Sequence, residues 1–186
     1  MNTLASTSRA TQPNPGLRNY YLTRGLVAAG WVALAFTIGK SMPVAAAILL
    51  VAYPAWDALA NLVDGTRSGG LAHNRSQAIN AVISGIAALG ILSALGDTAA
   101  VATIFGAWAI VAGLLQLVTG LRRWKAFGAQ WAMVLSGAQS ALAGGFFIKQ
   151  GLGAPVHGIT DVAPYAAFGA FYFLVSALWL TVRRSR

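Results

Sequence analysis

The chain has no cysteine, no glutamate and few charged residues of any kind. Only 9% of its 186 residues are charged, and four acidic residues stand against 13 lysines and arginines. A soluble domain carries about 25% charged residues, so this composition excludes an ordinary soluble protein. The absence of cysteine excludes disulfide bonds and thiolate metal sites.

Motifs of catalysis are missing as well. No hydrolase, kinase, zincin or dinucleotide-binding motif occurs. An intramembrane protease would need a serine with a histidine, or two aspartates, at membrane depth. His73 and His157 fall in different links, and Asp57 is the one acidic residue inside an apolar run. We therefore expect no enzyme, no catalytic residue, no cofactor and no metal site, and keep His157 only as a candidate external pH sensor.

What the chain has in abundance is apolar sequence, since 57% of its residues are hydrophobic. A membrane-spanning helix needs roughly 20 such residues. Six runs qualify, near residues 20–38, 43–63, 76–96, 98–121, 126–148 and 162–182. The predicted fold is all-α: a polytopic membrane protein whose six transmembrane helices form three sequential helical hairpins.

Short links set the predicted domain boundaries. The six-helix domain covers residues 19–182, and its hairpins cover about 20–63, 76–121 and 126–182. Residues 1–18 are rich in Ser, Thr, Asn and Pro and predict a disordered cytoplasmic tail. Residues 183–186 form a short basic tail.

The basic residues are distributed unequally over the helix ends. Eleven lie on the side of the N-terminus, and two, Lys40 and Lys149, lie on the other side. The positive-inside rule then places both termini in the cytoplasm. Arg24 lies near the start of helix 1, and we expect its side chain to reach toward the head groups. The net charge of +9 predicts contact with anionic lipid head groups at the cytoplasmic face rather than with nucleic acid.

The helices contain an internal repeat. Helices 2 and 4 align at an offset of 55 residues without a gap. The aligned pairs are Tyr53 with Trp108, Asn61 with Gln116, Gly65 with Gly120 and Arg67 with Arg122. Ser136-Gly137 of helix 5 repeats the Ser84-Gly85 of helix 3. The position that matches Asp57 in helix 4 is Ala112, so the repeat itself does not require the acid.

Asp57 is the centre of the candidate site. Tyr53, Asp57 and Asn61 lie one helical turn apart on one face, and Asn80 lies in the same half of the next helix. A carboxylate facing lipid costs roughly 2.5–3.5 kcal/mol, so this face should point into protein. Two interpretations stay open: a structural carboxyl, protonated or bonded to a neighbouring amide, and a proton or cation site.

Small residues predict where helices approach closely. Ser136, Ser140 and Gly144 recur at helical spacing in helix 5, and Gly137 runs beside them. Gly85 in helix 3 and Gly113 in helix 4 offer similar positions. Such residues let transmembrane helices pack with little separation. The pattern leaves open whether the neighbour belongs to the same chain or to a homo-oligomer.

The segment from Gly106 to Arg123, followed by Trp131 and Ser136-Gly137, resembles the short repeat of the HdeD-like acid-resistance membrane proteins. Asp57-Ala58 is similar to an Asp-Gly pair of that repeat, with Ala58 in place of the glycine. The resemblance spans roughly residues 20–182. It implies a multi-pass protein of the bacterial inner membrane, linked to acid or general stress tolerance, with no known ligand or protein partner.

Two hypotheses of function follow. The first is a non-enzymatic HdeD-like protein that acts in membrane or proton homeostasis. The alternative is a small transporter or channel that uses Asp57 as its proton or cation site. A polar cavity that joins Asp57 to one membrane face would favour the second, and a dry, packed Asp57 would argue against it.

Overall fold

A computed structural model describes residues 15–122, 124, 130–153, 156 and 158–184 of the chain. It contains six long helices, and the first continues into a π-helical turn at Ala35–Gly39. The helices are α1 (Pro15–Leu34), α2 (Pro43–Arg67), α3 (Arg75–Ser93), α4 (Thr98–Arg122), α5 (Gln130–Gly153) and α6 (Ile159–Arg184). All six are long and apolar enough to cross a membrane, and no strand occurs within the described ranges. The predicted all-α fold with six transmembrane helices is confirmed.

Helix boundaries differ from the sequence estimate at both ends. α1 begins at Pro15, so residues 15–18 of the predicted tail are helical. Proline is well tolerated in a first helical turn because its missing N–H has no helical acceptor there. α6 continues to Arg184, two residues into the predicted basic tail. The rest of the N-terminal tail and His157 lie outside the described residues.

Consecutive helices run in opposite directions, which gives the bundle two chemically distinct ends. α1, α3 and α5 begin, and α2, α4 and α6 end, at what we call the basic end; Arg67, Arg75 and Arg122 lie there. Lys40 and Lys149 lie at the opposite end. The unequal distribution of charge seen in the sequence is therefore a property of the folded bundle.

The closest packing does not follow the predicted hairpins. α2 packs mainly on α3, α4 on α5, and α1 on α6, whereas the backbones of α1 and α2 stay apart despite their short link and meet through a few long side chains. The α1–α6 contact includes Gly25, where an added Cβ would lie 2.7 Å from the Leu174 side chain. The bundle is thus a ring of three helix pairs, and the third pair joins the first helix to the last.

Glycines on α4 and α5 form a seam with backbone against backbone. A Cβ on Gly113 would lie 2.6 Å from the carbonyl oxygen of Gly137, and one on Gly106 would lie 2.6 Å from that of Gly144. Real Cβ atoms do not come so near, so glycine is required for this approach. Ser140 lies against the same seam, and a Cβ on Gly113 would lie 2.8 Å from the Cβ of Ser140.

Gly85 does not have the packing role that its motif suggests. A Cβ at Gly85 would meet nothing within 4 Å. The reason is that α3 approaches α2 through side chains such as buried Ser84 rather than through its glycine. Sequence similarity between Ser84-Gly85 and Ser136-Gly137 therefore does not extend to their contacts.

An aromatic layer crosses the interior of the bundle. Its members touch one another, mostly edge to face, with ring centroids 4.9–6.4 Å apart. They are Trp31, Tyr53, Phe105, Trp108, Phe147 and Tyr165. Phe105 is completely buried at its centre. Such pairs add about 0.5–1.5 kcal/mol each beyond burial, so the layer is a well-fixed partition across the bundle.

Candidate intramembrane ion-pair site

The site is built around a salt bridge between α1 and α2. The Arg24 guanidinium donates through Nη2 to Oδ1 of Asp57. The two side chains are only 14% and 11% exposed. This is the one ion pair formed between two residues that the structure describes. A buried pair of this kind holds both charges in place, since removing either partner strands the other.

Three further donors converge on the second oxygen of Asp57. Oδ2 accepts from Asn61 Nδ2 at 3.1 Å, from Asn80 Nδ2 at 3.2 Å and from Ser84 Oγ at 2.8 Å. Each of these groups donates to the carboxylate, an arrangement that suits its ionised form. The interpretation of Asp57 as a protonated structural carboxyl therefore does not fit this geometry.

Arg24 is the residue that sequence analysis misplaced. Its guanidinium turns into the bundle instead of toward the head groups, donates to the Tyr20 hydroxyl at 2.9 Å, and lies 4.5 Å from the centre of the Phe173 ring. The cause is Asp57, because the two opposite charges compensate each other in the interior. A signal was present in the sequence: the first apolar run contains one arginine, the second contains one aspartate, and neither is stable alone at that depth.

A hydrogen-bonded chain joins the site to the aromatic layer. Trp108 Nε1 donates to Ser84 Oγ at 2.9 Å, and Ser84 in turn donates to Asp57. Tyr53 lies on the same face of α2 as Asp57 but belongs to the aromatic layer, 4.9 Å from the Trp31 ring centre. The structure thus brings Asp57, Asn61 and Asn80 together, whereas Tyr53 packs in the aromatic layer next to them.

A cavity of about 110 Å³, lined by both polar and apolar side chains, lies beside the ion pair. All six helices line it, from Tyr53, Trp108 and Tyr165 in the aromatic layer to Leu17 and Gln77 near the basic end. The volume is enough for several water molecules. The cavity extends from Asp57 toward the basic end and stops at the aromatic layer, so the site communicates with one side of the bundle.

The cavity wall collects most of the polar residues of the membrane interior. Its amide and hydroxyl side chains include Asn61, Asn80, Gln116, Gln139, Ser136 and Ser140. Closer to the basic end, Gln77 Nε2 donates to Asp64 Oδ2 at 3.1 Å. The amide and hydroxyl groups of this wall offer donors and acceptors to water or to a small polar solute beside the ion pair.

Fold and site together define a multi-pass α-helical membrane protein with a one-sided polar site at its centre. Residues 76–149 match the family model described as a short repeat of unknown function, DUF308. This is the family of the HdeD-like membrane proteins, so the predicted resemblance is confirmed for residues 76–149, a stretch that does not include Asp57. No curated protein and no solved structure matches the chain.

Proposed function

We propose that this is a non-enzymatic protein of the bacterial inner membrane that acts in acid or general stress tolerance by moving protons at Asp57. Both termini are cytoplasmic in this proposal, so the cavity faces the cytoplasm. The resemblance to the HdeD-like proteins supports the stress role, and the basic end supports the orientation.

One observation carries the proton proposal. Asp57 lies at the deep end of the cavity, near the aromatic layer. Water in the cavity can therefore reach a carboxylate that is otherwise enclosed. An arginine side chain keeps its proton in proteins, so a proton that enters the pair would bind to the Asp57 carboxylate. Protonating Asp57 would break the salt bridge and leave the guanidinium free to move. Proton uptake would thereby loosen the contact between α1 and α2. Because the aromatic layer closes the cavity on its other side, transport in this proposal requires that this movement open a path past the layer.

The geometry argues against a site for another cation. Arg24 already occupies Oδ1, and three side-chain donors occupy Oδ2. A metal ion would have to displace four donors and lie beside a fixed positive charge. A proton needs no such space, since it binds to the carboxylate oxygen itself.

A second candidate role is structural. The backbones of α1 and α2 are not closely packed, so the Arg24–Asp57 pair and the contacts of Trp31 with Leu49 and Tyr53 are the main connections between them. In that case Asp57 fixes the bundle, and the working surface of the protein lies elsewhere. Flux measurements separate the two roles.

The test is proton flux into proteoliposomes under an imposed proton gradient. Asp57→Asn keeps the shape and removes the carboxylate. Asp97→Asn is the control, since Asp97 caps the start of α4 at the opposite end of the bundle. We expect flux in the native protein and in Asp97→Asn, and its loss in Asp57→Asn. The double variant Arg24→Gln/Asp57→Asn removes both charges. It leaves no buried arginine without its opposite charge, so a loss of flux in this variant is not explained by an unpaired charge that unfolds the bundle. No flux in the native protein, or the same flux in Asp57→Asn as in the native protein, would contradict the proposal.

A further inference from the structure

The boundary between α1 and α2 is open at the basic end. A groove of about 760 Å³ separates the two helices there. This lies within the roughly 300–1,000 Å³ of small-molecule binding pockets. The opening is a consequence of the packing, because α1 pairs with α6 and α2 with α3, which leaves this edge of the ring without a close contact.

The groove changes in polarity along its length. Its mouth is formed by Asn19, Arg67 and Ser68. Its deeper wall on α2 is apolar at Trp56, Leu59 and Val63, while Thr23 and Arg24 line the deeper part from α1. From the end of α2 down to Trp56, at 1.5 Å per residue, the groove is roughly 16 Å deep along the helix. A polar mouth above an apolar wall of this depth matches a molecule with a polar head and a hydrocarbon chain.

The groove opens sideways, toward the bilayer. Leu59 forms part of its wall and is 51% exposed. An exposed leucine on a membrane-spanning helix faces lipid, so acyl chains have direct access to the groove. The positive end of the bundle is at the same level as its mouth.

Charge at the mouth selects the head group. Arg67 is exposed and takes no part in an ion pair with a described residue, whereas the nearby Asp64 accepts from Gln77. An unpaired arginine at this level attracts phosphate. We propose that the groove between α1 and α2 binds a phospholipid with an anionic head group, whose phosphate lies at Arg67 and whose acyl chain lies along Leu59 and Val63.

The lipid site adjoins the ion-pair site. Tyr20, Arg24 and Asp64 line both the groove and the central cavity. A bound lipid would therefore lie against Arg24, one member of the Arg24–Asp57 pair. This inference does not depend on proton movement, because lipid binding is measured without a proton gradient.

The first experiment is thermal unfolding of the whole protein in a neutral detergent, with phosphatidylglycerol or phosphatidylcholine of the same acyl chains added. We expect phosphatidylglycerol to raise Tm by several degrees more than phosphatidylcholine. Arg67→Gln should lose at least half of that difference. Arg122→Gln is the matched control, since Arg122 is exposed and occupies the same repeat position on α4 but does not line the groove.

Three outcomes would overturn the proposal. Equal shifts with both lipids would remove head-group selection. If Arg67→Gln and Arg122→Gln lose the same part of the difference in Tm shift, the anionic lipid is attracted by the basic end as a whole and not bound in the groove. The same shift with glycerol phosphate alone would mean that a soluble anion, not a lipid, is bound.

The second experiment locates the acyl chain. Phosphatidylglycerol with brominated chains, added at near-stoichiometric amounts, quenches nearby tryptophan fluorescence. Because Trp56 lines the groove, we expect the quenched fraction to fall in Trp56→Phe and, through loss of binding, in Arg67→Gln. Quenching that is unchanged in Trp56→Phe would place the chain outside the groove and overturn the proposal.

Discussion

The pairs α2–α3 and α4–α5 share a sequence repeat, yet they bring their helices together by different means. α4 and α5 meet backbone to backbone, so that a Cβ added to Gly113 would lie 2.6 Å from the carbonyl oxygen of Gly137. α2 and α3 meet through polar side chains, with Asp57 bonded to Ser84 and Asn80. α4 and α5 approach closely because glycines lie between them, whereas α2 and α3 are joined by hydrogen bonds between side chains.

The difference shows how a repeat can carry a site in only one of its copies. Ala112 of α4 replaces Asp57 of α2 at the matched position. The α4–α5 pair therefore has no buried charge to compensate, and its two helices can pack closely through their glycines. α2–α3 keeps the space that side chains need, and the arginine of α1 enters it. The helical scaffold is common to both pairs, and the ion pair is an addition to one.

The largest expected effect comes from removing one member of the ion pair. Asp57→Leu leaves Arg24 buried without its opposite charge, and such a loss costs about 3–5 kcal/mol. The measurement is unfolding in mixed detergent micelles. Ala112→Leu, at the matched position of α4, is the comparison and should show only the cost of a larger side chain at a buried alanine.

The double variant Arg24→Leu/Asp57→Leu sharpens this test. Replacing both charges by apolar groups is often close to neutral, so most of the single-variant loss should be recovered. If the double variant is as unstable as the sum of the two single ones, the pair is not the reason for the loss.

The next effect compares the two glycines of the repeated Ser-Gly motif. Gly137→Ala places a methyl group 2.6 Å from a backbone oxygen, and we expect a loss of about 1–3 kcal/mol from overpacking. Gly85→Ala meets open space and should be neutral or gain up to about 1 kcal/mol from helix propensity. Equal losses in the two variants under the same unfolding assay would contradict the comparison.

The smallest effect concerns the bond that links the two pairs. Trp108 on α4 donates to Ser84 on α3, and Trp108→Phe removes the donor while keeping an aromatic ring. The expected loss is about 0.5–1.5 kcal/mol, the net worth of an ordinary hydrogen bond. Trp131→Phe is the control, since Trp131 packs against Trp179 and lines neither the cavity nor the groove. A loss no larger than in that control would show that the bond contributes nothing measurable.

The sequence predicts the site residues that share one helix face, but not most of their partners on other helices. Asp57 and Asn61 share a face of one helix, so local periodicity was enough to group them. Asn80 was predicted as a neighbour from its depth in the next helix, and a hydrogen bond of 3.2 Å joins it to Asp57. Arg24 and Ser84 were missed as partners because their contacts depend on which helices are adjacent, and a short link between helices does not fix that.

The sequence by itself determined the number of spanning helices, the chemical inequality of the two ends and the presence of one acid that had to face protein. These follow from local hydrophobicity and from the cost of charge in lipid, which act on each segment separately. Only the tertiary structure decided that α1 packs on α6, that Arg24 neutralises Asp57, and that a cavity and a groove lie beside them. These depend on shape complementarity between helices distant in the chain, which no single segment encodes.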